Sequence, residues 1–210
     1  MGTTRLNLYN GALSILGERR LASLSENRGP RHHLDQAWSR GVVDYCLEAG
    51  QWKFATRTQM LDYAPSITPP DGMNFAYAFD KPADCRRLIG VYGDGQMVDA
   101  LRDYREEAGY WWANLEAIYV RFVSNDAQYG GDLSLWSQRF AKYVEAHLAY
   151  EVAMDVTGAQ DKADRALKLR ERLLLEALSM DAQQDPTKTP APGGWVRARM
   201  GSSFRGREQG

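Results

Sequence analysis

Leu6-Asn7-Leu8-Tyr9-Asn10-Gly11-Ala12-Leu13-Ser14-Ile15-Leu16-Gly17 and Gly50-Gln51-Trp52-Lys53-Phe54-Ala55-Thr56-Arg57 bracket the part of the chain that decides the fold. In the first stretch Leu6, Tyr9, Leu13 and Leu16 recur at intervals of three and four. That spacing predicts a helix over about 4–16, capped by Thr3 or Thr4 and stopped by Gly17. A polar loop over 18–29 follows. Pro30 then stands where a first helical turn tolerates its missing N–H, which predicts a second helix over 30–49. Leu34, Trp38, Val42, Tyr45 and Ala49 fall on one side of it, and Gly50 closes it. The second stretch then turns the chain on Trp52 and Phe54. These rings read as an apolar elbow filling the gap where helices meet the next segment.

Beyond the elbow the pattern changes. Pro65, Pro69, Pro70, Pro82 and several glycines punctuate a β-rich insertion over about 55–125. The β-type runs are 57–63, 75–79, 88–92 and 118–123. The last is the clearest, with Ile118, Val120 and Phe122 alternating against Tyr119, Arg121 and Val123. Gly93-Asp94-Gly95 reads as a hairpin turn, and Glu106-Glu107 as part of a turn-like stretch. From Asp132 the helical period returns. Trp136, Phe140, Val144, Leu148, Val152 and Val156 recur every four residues, predicting a third helix over 133–157 capped by Asp132 and ended by Gly158. A fourth, 161–180, carries Ala163, Leu167, Leu174 and Leu178 on one face and balanced charges elsewhere. The expected class is mainly α with a β sub-domain (α+β): an antiparallel helical bundle, a small inserted antiparallel sheet, and an extended C-terminal tail. Residues 1–181 form the main domain and 182–210 the tail.

Composition narrows the function. The 210 residues are 44% hydrophobic and 25% charged, ordinary for a globular chain. The formal net charge of −1 argues against nucleic-acid binding by the chain as a whole. Cys46 and Cys85 read as isolated buried thiols, not as a disulfide framework. The opening Met1-Gly2-Thr3-Thr4-Arg5-Leu6 lacks both the apolar core of a secretion signal and the hydroxyl residue of a myristoylation motif. No apolar run approaches the roughly 20 residues of a membrane span. The expectation is a protein made in a cytoplasm and kept there or in a particle assembled there.

No constellation for catalysis appears. Adjacent His32 and His33 point about 100° apart on a helix. His147 has only Glu151 at ligand spacing, and both readings favour structural histidines over a metal site. Glu106 and Glu107 lie side by side, whereas glycosidase carboxylates converge across a cleft. Nucleophile-elbow, Walker and zinc patterns are absent. The expectation is a non-enzyme without cofactor or metal.

Binding residues are sought elsewhere. The Pro- and Gly-rich run 185–194 leads to Trp195, Arg197, Arg199, Met200, Phe204, Arg205 and Arg207. Large apolar side chains give a solvated tail nothing, and Trp and Arg are common hot-spot types, so this segment reads as docking on a partner. A basic tail touching DNA phosphate is the alternative. Trp111-Trp112 is a second candidate. In a strand the two point to opposite faces, which would leave one exposed as a subunit contact.

Several motifs in order resemble one family. They are Asn10-x-Ala12-Leu13-x-x-Leu16-Gly17, Ala22-Ser23-Leu24-Ser25-Glu26 and Gln51-Trp52-x-Phe54-Ala55. Leu88-Ile89-Gly90-Val91 after Pro82-Ala83-Asp84, Ile118-Tyr119-Val120, and Phe140-Ala141-x-Tyr143-x-x-x-x-Leu148-Ala149 follow. The chain resembles the head-to-tail adaptors of short-tailed phages, the tail tubular protein A-like family. The resemblance implies a structural virion protein at the head–tail junction, assembled in the host cytoplasm. It implies a homo-oligomeric ring of twelve between the portal protein and the tail nozzle or tube. Double-stranded DNA would pass through the lumen during ejection without specific binding. The alternative is a DNA-binding or packaging-associated protein using the Arg-rich tail.

Overall fold

The computed structural model describes residues 2–183: five α-helices and two small antiparallel sheets, a mixed α+β fold. Helix α1 (Arg5–Leu16) starts at Thr4, whose hydroxyl accepts from the Asn7 N–H at 3.2 Å. It ends at Gly17, in the left-handed conformation at φ 71°. Leu8, Tyr9, Ala12, Leu13 and Leu16 are buried, while Leu6 is half-buried. The loop after α1 is held by side chains. Asn10 accepts from the Leu21 N–H at 2.7 Å and donates to its carbonyl at 3.0 Å. Glu26 accepts from the Ala22 N–H at 2.7 Å.

The helix expected over 30–49 is two helices. Helix α2 (Gly29–Ser39) and helix α3 (Val42–Glu48) are separated at Gly41, where φ is 90°. The left-handed residue breaks the hydrogen-bond ladder and redirects the chain. The side chains then sort differently. Val42, Cys46 and Leu47 are buried, and Tyr45, expected inside, is 53% exposed.

Helix α4 (Gln138–Thr157) starts later than expected. Ser137 caps it, accepting from the Phe140 N–H at 3.2 Å. Asp132 caps a separate short 3₁₀ turn, Leu133–Leu135. Trp136 lies between the two and is still buried, because its indole N–H reaches the Gly130 carbonyl at 2.8 Å. Phe140, Val144, Leu148 and Val152 form the expected core stripe. Ala141, Tyr143, Ala146, Ala149 and Ala153 are buried too, since α1, α2, α3 and α5 all pack on α4. Gly158, at φ 62°, ends the helix. Helix α5 (Gln160–Gln183) returns along α4, turning the small residues Ala163, Ala166 and Ala177 inward. Leu175 stays 68% exposed on its outer side. The elbow residues behave as their sequence suggests. Trp52 is buried, donates to the Cys46 carbonyl at 3.0 Å, and lies edge-on to Phe140 at 4.8 Å.

The insertion holds two three-stranded sheets where one was expected. Strands β1 (Thr56–Asp62), β6 (Ala117–Ser124) and β3 (Cys85–Tyr92) form one sheet in the order β1-β6-β3. Strands β2 (Tyr77–Asp80), β5 (Tyr110–Ala113) and β4 (Arg105–Glu107) form the other in the order β2-β5-β4. Glu106 and Glu107 therefore belong to a strand, not a turn. The turn is the two-residue hairpin Ala108-Gly109, with φ of 53° and 86°. Ile118, Val120 and Phe122 meet Val91, Phe79, Trp111 and Ala113 in a core shared by both sheets. Val123 points the other way, into the helical core. The end of β6 is thus where the two cores join.

A polar network ties that joint. The Asp84 carboxylate accepts from the Arg57 guanidinium at 2.7 Å and from the Ser124 hydroxyl. Asn125 donates to the Asp84 carbonyl at 3.1 Å and, from its side chain, to Asp44 at 2.8 Å. Gly130 closes against the same turn. A Cβ there would lie 2.3 Å from the Ser124 carbonyl, so only glycine fits. Burial raises the Asp84 pKa, but hydrogen bonds from Ser124 and Arg57 outweigh it and hold the carboxyl below its usual range. A depressed folded pKa gives stability that is present above the unfolded value and lost as pH falls through the folded one. The Asp84→Asn variant is therefore expected to melt below the parent at pH 7. The gap should narrow as the pH falls below about 4, as read by thermal denaturation at both ends.

Candidate functional site

The sequence-derived binding residues divide into two groups. Trp195, Arg197, Arg199, Met200, Phe204, Arg205 and Arg207 lie outside the described residues. Trp111 and Trp112 lie on opposite faces of β5, as alternation requires, but neither is exposed. Trp111 pairs in register with Phe79 inside the shared sheet core, and its indole donates to Glu106 at 3.2 Å. Trp112, beside Ala78 and Arg105, is 2% exposed and donates to the Glu107 carbonyl at 3.3 Å. The expected exposed Trp contact is corrected: both indoles are buried. Glu106 is engaged in the same place. Its ion pair with Lys81 and the Trp111 hydrogen bond hold its carboxyl below the usual range, against burial.

The histidines have ordinary partners or none of a catalytic kind. His32 lies against Arg31 and Asn27, and His33 Nδ1 is 3.7 Å from Asp155. Among the described residues no cluster of three His, Cys, Asp or Glu side chains is arranged to hold a metal ion. Cys46 is fully buried and its thiol is pushed well above the usual range by burial, which makes it a poor nucleophile.

His147 organises the most distinctive surface on the helices. It is 3% exposed in the middle of α4, yet it sits just beneath the surface. The Tyr45 ring stacks flat on it, centroids 4.6 Å apart and planes 13° apart. Tyr143 and Tyr150, four residues before and three after on the same helix face, flank it at 6.3 and 6.5 Å. From α5, the Arg170 guanidinium lies 4.8 Å above the Tyr150 ring, with Nη1 3.5 Å from His147 Nδ1. Burial and the neighbouring Arg170 cation push the imidazole pKa down to about 4, so the ring is neutral at pH 7. Two open recesses flank the Tyr45 ring, one of about 250 Å³ and one of about 350 Å³, and Arg170 lines both. The arrangement presents an exposed aromatic ring and a pre-positioned guanidinium, the side-chain types that dominate protein contacts.

A second exposed surface lies on the sheet. The face of β6 that carries Val123 into the helical core continues outward as Arg121 and Tyr119. In register beside them stand Met60, 50% exposed, and Tyr92. Val98, on the adjoining loop, is 77% exposed. This surface differs from the Tyr45–Arg170 cluster in shape and support: one is a sheet face carrying Met60, Tyr119 and Arg121, the other a recess between helices with a cation over an aromatic ring.

The sequence offers the aromatic sheet and the balanced charges of the last helix as partner-facing surfaces, but not the Tyr45–His147 stack. The expectation of a structural His147 agrees with its burial, and Tyr143, His147 and Tyr150 at i, i+4 and i+7 make an aromatic helix face. Tyr45 falls on the core side of an unbroken 30–49 helix, and the break at Gly41 turns it outward. Arg170 belongs to the charged, solvated or partner-facing surface expected of the last helix, and no spacing sets it apart from the other cations there.

No family model matches the chain, and no curated protein matches it in sequence. Among the described residues no helix is long and apolar enough to cross a membrane.

Proposed function

We propose that the chain is a structural virion protein: a head-to-tail adaptor that forms a ring between the portal and the tail nozzle or tube, around the DNA exit channel. The motif order of the first quarter and of α4 supports this reading, and so does the mixed α+β fold. Helices packed on α4 and a β-rich insertion are the two parts the resemblance implies for an adaptor, while helix α5 runs on to Gln183, past the expected start of the tail at 182.

One observation carries the proposal. The described residues present two separate surfaces, exposed Tyr45 beside half-buried Arg170 on the helices and exposed Met60 beside half-buried Tyr119 and Tyr92 on the sheet. A ring built head-to-tail needs two different faces on each subunit, whereas a two-fold dimer needs only one. The near-neutral net charge of −1 suits a lumen that does not grip passing DNA, since a basic lumen would hold phosphate through counterion release. Twelve subunits, like the portal and nozzle partners, come from the family likeness.

Met60 tests the sheet face without touching the core, because half of it is in solvent. The Met60→Asp variant is expected to fold with unchanged melting temperature but to fail to form rings with portal present. Full ring formation by a folded Met60→Asp protein would remove the sheet from the subunit contact. The alternative, a DNA-binding protein acting through the Arg tail, predicts tight, strongly salt-dependent gel shifts with linear duplex. The adaptor reading predicts only weak, non-specific ones.

A further inference from the structure

We propose that the recess under Arg170 is a seat for a single carboxylate of a protein partner, borne on a segment whose neighbouring side chain is aromatic or aliphatic. The inference is drawn from the recess itself and needs no ring.

Two cations of this helix, Lys168 and Arg170, make no ion pair among the described residues, and of the two Arg170 is the half-buried one. Lys162 pairs with Glu18, Arg165 with Asp161 and Arg172 with Glu176. Arg170 has no carboxylate partner among the described residues, although it is half-buried. It is instead held in place by neutral groups, the Tyr150 face and the His147 ring nitrogen. A half-buried guanidinium with no carboxylate at ion-pair distance gains most when one is brought into direct contact, and its planar fork favours two parallel hydrogen bonds. Fixing the guanidinium beforehand also removes much of the ordering cost of binding.

The surroundings define what accompanies the carboxylate. Tyr45, stacked on a buried ring, is a rigid apolar wall open to solvent. Ala49, Tyr143 and Leu174 line one recess beside it; Val42 and Tyr150 line the other. Such walls suit an aromatic or aliphatic side chain next to the acid. The rim decides against nucleic acid. Glu48, Glu151 and Glu171 are exposed around the two recesses, with Arg40 as the one further cation. A duplex carries a charge about every 1.7 Å along its axis and cannot place one phosphate at Arg170 without setting others against this acidic rim. One acidic side chain on a polypeptide can.

The test uses the full chain and two peptides, acetyl-Leu-Glu-Phe-amide and acetyl-Leu-Gln-Phe-amide, followed by NMR at the Arg170 Nε–H and the Tyr45 ring. The Glu peptide is expected to shift both resonances and the Gln peptide to bind about tenfold more weakly, the loss of one charge-assisted contact. Tyr45→Ala, which leaves the core intact, and Arg170→Lys, which keeps the charge without the fork, should each weaken the Glu peptide comparably. Equal binding of the two peptides, no shift with either, or unchanged binding to both variants overturns the inference. So does a short duplex oligonucleotide that shifts these resonances more strongly than the Glu peptide, which would assign the recess to nucleic acid.

Discussion

Replacing Phe140 by alanine is expected to remove about 3–5 kcal/mol of folding stability, a large part of the roughly 5–15 kcal/mol that holds a domain together. Phe140 is fully buried at the start of α4. Its ring meets Trp52 and Trp136 at 4.8 Å, Phe54 at 4.9 Å and Tyr143 at 6.2 Å. These five rings come from three parts of the chain: the elbow after α3, the turn before α4, and α4 itself. Removing the central ring opens a cavity whose walls are large, stiff aromatics that cannot collapse into it. Urea denaturation of Phe140→Ala should show a much lower midpoint, and Phe140→Leu, which keeps more of the volume, a smaller drop. A loss under about 1 kcal/mol in Phe140→Ala would mean that the aromatic joint does not hold the helices together.

The second large effect is a pH dependence. The His147 imidazole has its folded pKa at about 4, below the usual 6.5, because it is buried first and faces Arg170 second. The unfolded chain therefore takes up this proton before the folded one does. Stability from a neutral His147 is fully present above pH 6.5 and is lost as pH falls toward 4. Between pH 7 and pH 4 the parent is expected to lose on the order of 3 kcal/mol more than His147→Gln, at about 1.4 kcal/mol per pKa unit. Denaturant titrations of both proteins across that range measure the difference, and the imidazole proton shifts locate the pKa directly. Parallel stability curves would show that the ring protonates in place.

The sequence reached far into the fold because most elements are punctuated by residues with one job. Gly17 and Gly158 both sit in the left-handed conformation that closes α1 and α4, and Trp52 plugs the elbow it was assigned to. The alternation of 118–123 correctly placed Ile118, Val120 and Phe122 in one core. Where the reading failed, a weak local signal was overridden by tertiary context. Gly41 lies inside a continuous apolar spacing, and a mid-helix glycine costs only about 1 kcal/mol, so period alone could not reveal the break. Strands β4 and β5 are short, with Glu106 and Glu107 pointing away from any apolar pattern, and the Ala108-Gly109 turn gives a faint hairpin signal. Trp111 and Trp112 divide by face as alternation predicts, but not by exposure: Trp112, outside the core shared by the sheets, is buried all the same.

The Tyr45–Arg170 surface was illegible for a different reason. It is assembled from α3, α4 and α5, and its members are about 100 residues or more apart across α3 and the later helices. No spacing rule brings Tyr45 to His147 or Arg170 to Tyr150. Only the break at Gly41, which turns Tyr45 outward, creates it.

The proposed function has this chain close into a ring on a portal, and the mass of the full-length protein, alone and mixed with its portal, decides whether it does. The mixture should hold a complex whose added mass equals a closed ring of adaptor subunits, matching the symmetry of the portal and lost with Met60→Asp. Adaptor that stays the same size with and without portal, at concentrations well above those of assembly, would contradict it.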